Sequence, residues 1–278
     1  KLKISEPKVT FAGETAPSPG ITLFRGGLGI SADDVIVRHL RVRPGENGKA
    51  KKSGWEADAI TTNATADVIV DHCSITWATD ENLSSSGPRH EGATPDEWRE
   101  NTSHRITFSH CIIGEGLKES THKKGTHSMG SLIHDNVSDV LVYGNLYISN
   151  NDRNPLFKGG ARGAVVNNLI HNPGLYAFTF SLSEKEWEGH TWERGAVAVT
   201  GNVLKQGQDT RRSSFARLRG PSDIWFSDNL VFDKQGTQVP AKIEITGLGG
   251  KPSTAEEQKI TMLGKAPKWP DGLTAKPG

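Results

Sequence analysis

VLVYGN (140–145), AVVNNL (164–169), VAVTGN (197–202) and IWFSDN (224–229) are four versions of one short strand that runs into an asparagine. VIVRHL (35–40), VIVDHC (68–73) and ITFSHC (106–111) share the strand and end on other residues. Aligned, they put Leu40, Cys73, Cys111, Asn145, Asn168, Asn202 and Asn229 in one column, at steps of 33, 38, 34, 23, 34 and 27 residues. Self-similarity at such a period signals stacked coils. Short β-branched strands with Asn, Asp and Gly at their corners make the expected fold all-β, a parallel β-helix solenoid. An asparagine repeated at one turn can bond the neighbouring coil's amide and the corner backbone, so the column is read as a structural ladder.

Composition bounds the rest. The chain of 278 residues is long enough for a sizeable core, and no Pro/Ser-rich linker interrupts residues 20–235. Residues 1–278 are therefore read as one elongated domain, with regular coils from about 9 to 235 and a tail, 236–278, on the outside of the stack. VTFAG (9–13), ITLF (21–24) and LGIS (28–31) are early coil strands, and the expectation is that the N-terminus is truncated or capped by something outside this numbering. No sustained 3.6-residue apolar stripe occurs, so helix is expected to be scarce. With 33 basic and 32 acidic residues the net charge is +1, which gives no global field for nucleic acid or membrane. No run of about 18 apolar residues is present to span a bilayer. Cys73 and Cys111 fall in one column of adjacent coils and are read as buried free thiols rather than a bridge.

Three polar, turn-rich insertions break the rhythm, at 86–103, 114–131 and 174–195. Insertions in a solenoid go to loops, and these are expected on one binding face. Trp98, Trp187 and Trp192 sit in them, where an indole is either a sugar platform or packing. Trp55, Trp77 and Trp225 lie in or beside strands and are read as core or groove wall. His72 and His110 adjoin the two cysteines and are read as a structural stack.

Two constellations could carry chemistry. Glu56 and Asp58 in WEADAI, and Asp80 and Glu81 in WATDEN, recur at neighbouring coil corners, where carboxylates can converge on a hard cation. Lys118, His122, Lys123, Lys124 and His127 share one loop, followed by Arg153, Lys158 and Arg162. Cations beside an acidic metal site could hold a polyanion through its carboxylates. For Lys118 and Lys123 solubility is the better reading.

ADAI (57–60), VIVDHCSITWATDENLS (68–84), HKKGTHSMGSLI (122–133) and the Arg-Asn-Pro of NNDRNP (150–155) resemble polysaccharide lyase family 1, the pectate lyases. The opening VTFAGETAPSPGITL is similar to the bacterial branch. The resemblance implies a right-handed parallel β-helix, secreted, that binds Ca²⁺ and cleaves an acidic polysaccharide, polygalacturonate, by β-elimination. It makes Glu56, Asp58 and Asp80 the metal ligands with Glu81 as helper, and Arg153 the base that removes the C5 proton. His127 is the competing base on its own chemistry. Lys124, His127, Lys158 and Arg162 are the expected substrate-binding residues, Lys158 standing where the family commonly has an arginine. Ser84 stands where the family often has a further calcium aspartate. No nucleic acid or membrane partner is expected, and the chain is expected to be a monomer. Two rivals stay open: a lyase for another acidic polysaccharide, and a non-catalytic β-helical adhesin or glycan-binding module. A hydrolase fits less well, because no pair of aspartates is plainly placed as acid and base across a cleft.

Overall fold

The computed structural model describes residues 1–278 and consists of three sheets of nine strands each. The first sheet runs through Leu28–Ile30, Ile60–Asn63, Glu81–Ser86, Met129–Ile133, Leu156–Lys158 and Phe178–Ser181. The second contains Val35–Arg38, Ala66–Asp71, His104–Ser109, Ser138–Tyr143, Arg162–Val166, Gly195–Thr200 and Ser222–Ser227. The third contains Arg41–Arg43, Ser74–Thr76, Ile112–Gly114, Leu146–Ile148, Leu169–His171, Val203–Lys205 and Leu230–Phe232. The chain visits the sheets in turn and, apart from the antiparallel pair of Leu230–Phe232 with Gln238–Val239 that ends the third sheet, each strand pairs in parallel with the equivalent strand of the next coil, which is a right-handed parallel β-helix. The only α-helix is Pro95–Asn101.

Alternation along each strand builds the core. In Ala66–Asp71 the side chains of Val68 and Val70 are buried, while Ile69 between them faces out. Repeated from Ile4 to Ile260, this gives one continuous apolar cluster of 41 residues along the helix axis.

The column proves to be a ladder, and its bonds explain the residues that end each strand. The amide of Cys111 donates to Asn145 Oδ1 at 2.9 Å, that of Asn145 to Asn168, that of Asn168 to Asn202, and that of Asn202 to Asn229 at 3.1 Å. Each asparagine Nδ2 returns to a strand carbonyl, as Asn168 does to Val142 at 2.9 Å. The residue before the column has positive φ in every coil: His39, His72, His110, Gly144, Asn167, Gly201 and Asp228. Gly, Asn, Asp and His are the types that tolerate this left-handed turn. Cys73 and Cys111 are buried free thiols, with the Cys73 amide 3.3 Å from Cys111 Sγ.

One expectation needs correction. Stacking extends beyond 9–235, since Leu2–Ile4 opens the first sheet and Ile243–Ile245 and Ile260–Met262 close the first and second. The outer tail therefore begins only after Met262, where Trp269, Leu273 and Ala275 cover Tyr143 and Trp225 of the second sheet. The three insertions gather around one sheet. Residues 86–103 and 182–194 leave the first sheet toward the second, whereas 115–128 enter it from the third. They border the first sheet along both edges.

Candidate active site on the first sheet

Three of the four residues of the acidic constellation, Asp58, Asp80 and Glu81, come together at the entering edge of the first sheet, while Glu56 stands beside His122. Leu83 pairs with Ile60, so Glu81 lies beside Asp58, and the Glu81 amide donates to Asp58 Oδ1 at 3.2 Å. The carboxylates of Asp58, Asp80 and Glu81 lie within 4.8 Å of one another. Arg153, before Leu156–Lys158, reaches back from the next coils so that its guanidinium packs directly on the buried Glu81 carboxylate.

A second asparagine ladder, unnoticed in the sequence, fixes these groups. Asn82 follows Glu81, Asn154 follows Arg153, and Asn150 joins them: Asn82 Nδ2 donates to Asn150 Oδ1 at 3.0 Å, and Asn150 Nδ2 to Asn154 Oδ1 at 3.1 Å. All three are buried. The signal was present in the sequence as an Asn one residue after each charged group, but spacings of 68 and 4 residues hide it from a search for regular periods.

Crowded like charge sets the electrostatics. Burial, helped by the charge of Asp80, pushes the Asp58 carboxyl up to about 6. Burial also works on Asp80, yet the hydrogen bond from His127 and nearby positive charge hold its carboxyl below the ordinary value. For Arg153, burial lowers the guanidinium pKa while Asp80 and Asp58 pull it back up. Ser84 does not replace a carboxylate: its hydroxyl donates to Asp58 Oδ2 at 2.8 Å and orients that ligand. An all-oxygen cluster in which crowding and burial drive Asp58 toward protonation fits a hard metal dication.

The loop of residues 114–131 closes the site. It reaches past the short turn of residues 77–80 and is pinned two coils back by Lys52 N to Ser120 O at 2.9 Å and by Thr121 Oγ1 to Trp55 O at 2.6 Å. His122 and His127 stack inside it with ring centroids 3.8 Å apart. His127 Nε2 lies 2.6 Å from Asp80 Oδ1, and His122 Nε2 lies 3.5 Å from Glu56 Oε1. His127 is thus a buried anchor for Asp80. Lys124 is exposed at the tip, with its amide on His122 Nδ1.

Lys158 and Arg162 lie outside this group. Lys158 is buried, with Nζ 3.3 Å from Asp135 and bonded to Glu186. In spite of burial, His134, Lys158 and Trp187 hold Asp135 far below the ordinary carboxylate range. Arg162 starts a strand of the second sheet and lines a separate groove of about 780 Å³ with Arg99, Arg105, Asp139 and Lys268. The inserted tryptophans also divide. Trp98 and Trp187 are buried against each other and Leu182, so they are packing, while Trp192 is 42% exposed. Trp77, expected in the core or a groove wall, is 47% exposed, with its Nε1 donating to Glu115 at 3.0 Å.

A family profile described as pectate lyase matches residues 20–217. "Probable pectate lyase C" of Aspergillus flavus is 30% identical over 274 residues, covering 96% of this chain and 56% of its own length. The protein of the same name from Aspergillus terreus is 38% identical over 168 residues, 60% of this chain and 33% of the relative. This chain thus spans between a third and about half the length of these relatives, and both are fungal, so they do not speak for the bacterial branch. The profile covers most of the coils and both halves of the acidic site, and the chain belongs to the pectate lyase family.

Proposed function

We propose that the chain cleaves de-esterified polygalacturonate by Ca²⁺-assisted β-elimination, outside the cell, with Arg153 as the base. The observation that carries this reading is the contact of a half-buried arginine with a three-carboxylate cluster on one sheet edge. Elimination breaks the C5–H and C4–O4 bonds and forms the C4=C5 double bond, so negative charge builds on the uronate carboxylate as the proton leaves. Ca²⁺, when bound, supplies positive charge at that carboxylate.

The chain's own residues do the rest. Asp58, Asp80, Glu81 and Glu56 would hold the ion, with Ser84 orienting Asp58 and His127 orienting Asp80. Arg153 accepts the C5 proton in its neutral form. Burial already favours that form, whereas Glu81, Asp80 and Asp58 oppose it. Committing those carboxylates to a cation removes the opposition, which couples base strength to ligation and biases turnover to alkaline pH. Lys124 is the free cation for a substrate carboxylate.

The test is ultraviolet absorbance of an unsaturated product from polygalacturonate at alkaline pH, with Ca²⁺ and with chelator. A calcium-dependent rise that Arg153→Ala abolishes supports the reading. A flat trace from the wild type under both conditions rejects it, and near-normal turnover by Arg153→Ala rejects the base.

A further inference from the structure

The corner where the second sheet passes into the third carries a second set of converging donors, away from the acidic edge of the first sheet. Asp71 ends Ala66–Asp71 and pairs in register with Ser109 of the next coil, which sets His72 beside His110. The two imidazoles stack with centroids 4.8 Å apart, one per coil. Both turn Nδ1 onto the same carboxylate: His72 lies 2.6 Å from Asp71 Oδ2 and His110 lies 3.0 Å from Asp71 Oδ1. The Ser109 hydroxyl donates to Asp71 Oδ1 at 2.6 Å, the outer contact that fixes a ligating carboxylate. The two histidine side chains are 50% and 45% exposed, so an ion can reach them from solvent.

We propose that Asp71, His72 and His110 form a binding site for a transition-metal dication of the Zn²⁺ class that clamps two successive coils. Two imidazole nitrogens and one carboxylate suit Zn²⁺, Cu²⁺ or Ni²⁺ and disfavour Ca²⁺, which takes six to eight oxygens. The tautomers also permit it. When Nδ1 binds the ion, the ring proton moves to Nε2, where water can accept it, so neutral rings need lose no proton. The histidine pair of the first-sheet site is less suited. His122 Nδ1 already accepts the Lys124 amide, which leaves the proton on Nε2, the atom facing Glu56 and Asp80.

The experiment is calorimetric titration of the full chain with ZnCl₂, beside thermal unfolding with and without the salt. One equivalent should bind and raise Tm, and Ca²⁺ should not compete at this site. His72→Gln with His110→Gln should lower the affinity at least tenfold and cancel the Tm rise while leaving polygalacturonate turnover unchanged. Asp71→Asn should weaken binding in the same direction. Absence of Zn²⁺ binding by the wild type would overturn the proposal. So would undiminished binding by the double variant, and its loss on His127→Ala would then assign the ion to the first-sheet site.

Discussion

Asp58 is the residue at which burial, charge and ligation meet. Its carboxyl titrates at about 6 in the fold, above the ordinary value near 4. A raised folded pKa contributes stability that is full below the unfolded value and is lost as pH rises through 4 to 6. Above pH 6 the ionised cluster therefore destabilises the free protein, and a dication offsets that cost. Thermal unfolding should accordingly reveal a larger Ca²⁺-induced rise in Tm at pH 8 than at pH 5, with proton uptake when chelator is added near pH 6. Asp58→Asn should raise Tm in chelator and remove most of the Ca²⁺ response. A Ca²⁺ response equal at the two pH values would contradict this account. Arg153→Lys tests the fork on Glu81: a point charge keeps the pairing and loses the planar guanidinium, and turnover should fall by about 10²–10⁴.

Elements are held by side-chain ladders as much as by strand pairing. Asn168 accepts from the Asn145 amide and Nδ2 and donates to Val142, Val166 and Asn202. Asn168→Ala would leave several buried groups unpaired, and denaturant unfolding should register a loss of roughly 2–4 kcal/mol. Lys158 divides a structural role from a binding one. If it holds the strap between the first sheet and Glu186, Lys158→Met should cost about 1–3 kcal/mol in stability with KM nearly unchanged. A rise in KM without loss of stability would return Lys158 to the substrate. The ladder through Asn82, Asn150 and Asn154 ties the acidic pair to Arg153.

At the scale of the whole molecule, the coils supply a continuous core and the insertions shape the first sheet's borders. The outer tail adds a further seal, with Trp269 edge-on to Trp225 at 5.7 Å and the Asn167 side chain bonded to Lys276 at both its oxygen and its nitrogen. Ending the chain after Leu263 would bare Tyr143 and Trp225, and the shortened protein should unfold at lower temperature and bind a hydrophobic dye. The first-sheet site lies apart from this seal, so turnover at low temperature should survive the truncation.

The sequence by itself determined the stack, its core alternation and the first ladder, because each coil repeats the same local instruction and translation along the axis brings the copies into register. It also marked Glu56, Asp58, Asp80 and Glu81 as carboxylates recurring at neighbouring coil corners, and Arg153 through the resemblance to the pectate lyases. Where Lys158, Arg162, His127, Trp98 and Trp187 ended up was decided only in the tertiary structure. Each depends on contacts made by insertions of unequal length: Lys158 on Glu186, His127 on Asp80, and Trp98 on Trp187. No period relates such residues, and for Arg162, four residues beyond Lys158, one corner of the coil was enough to move it to another sheet.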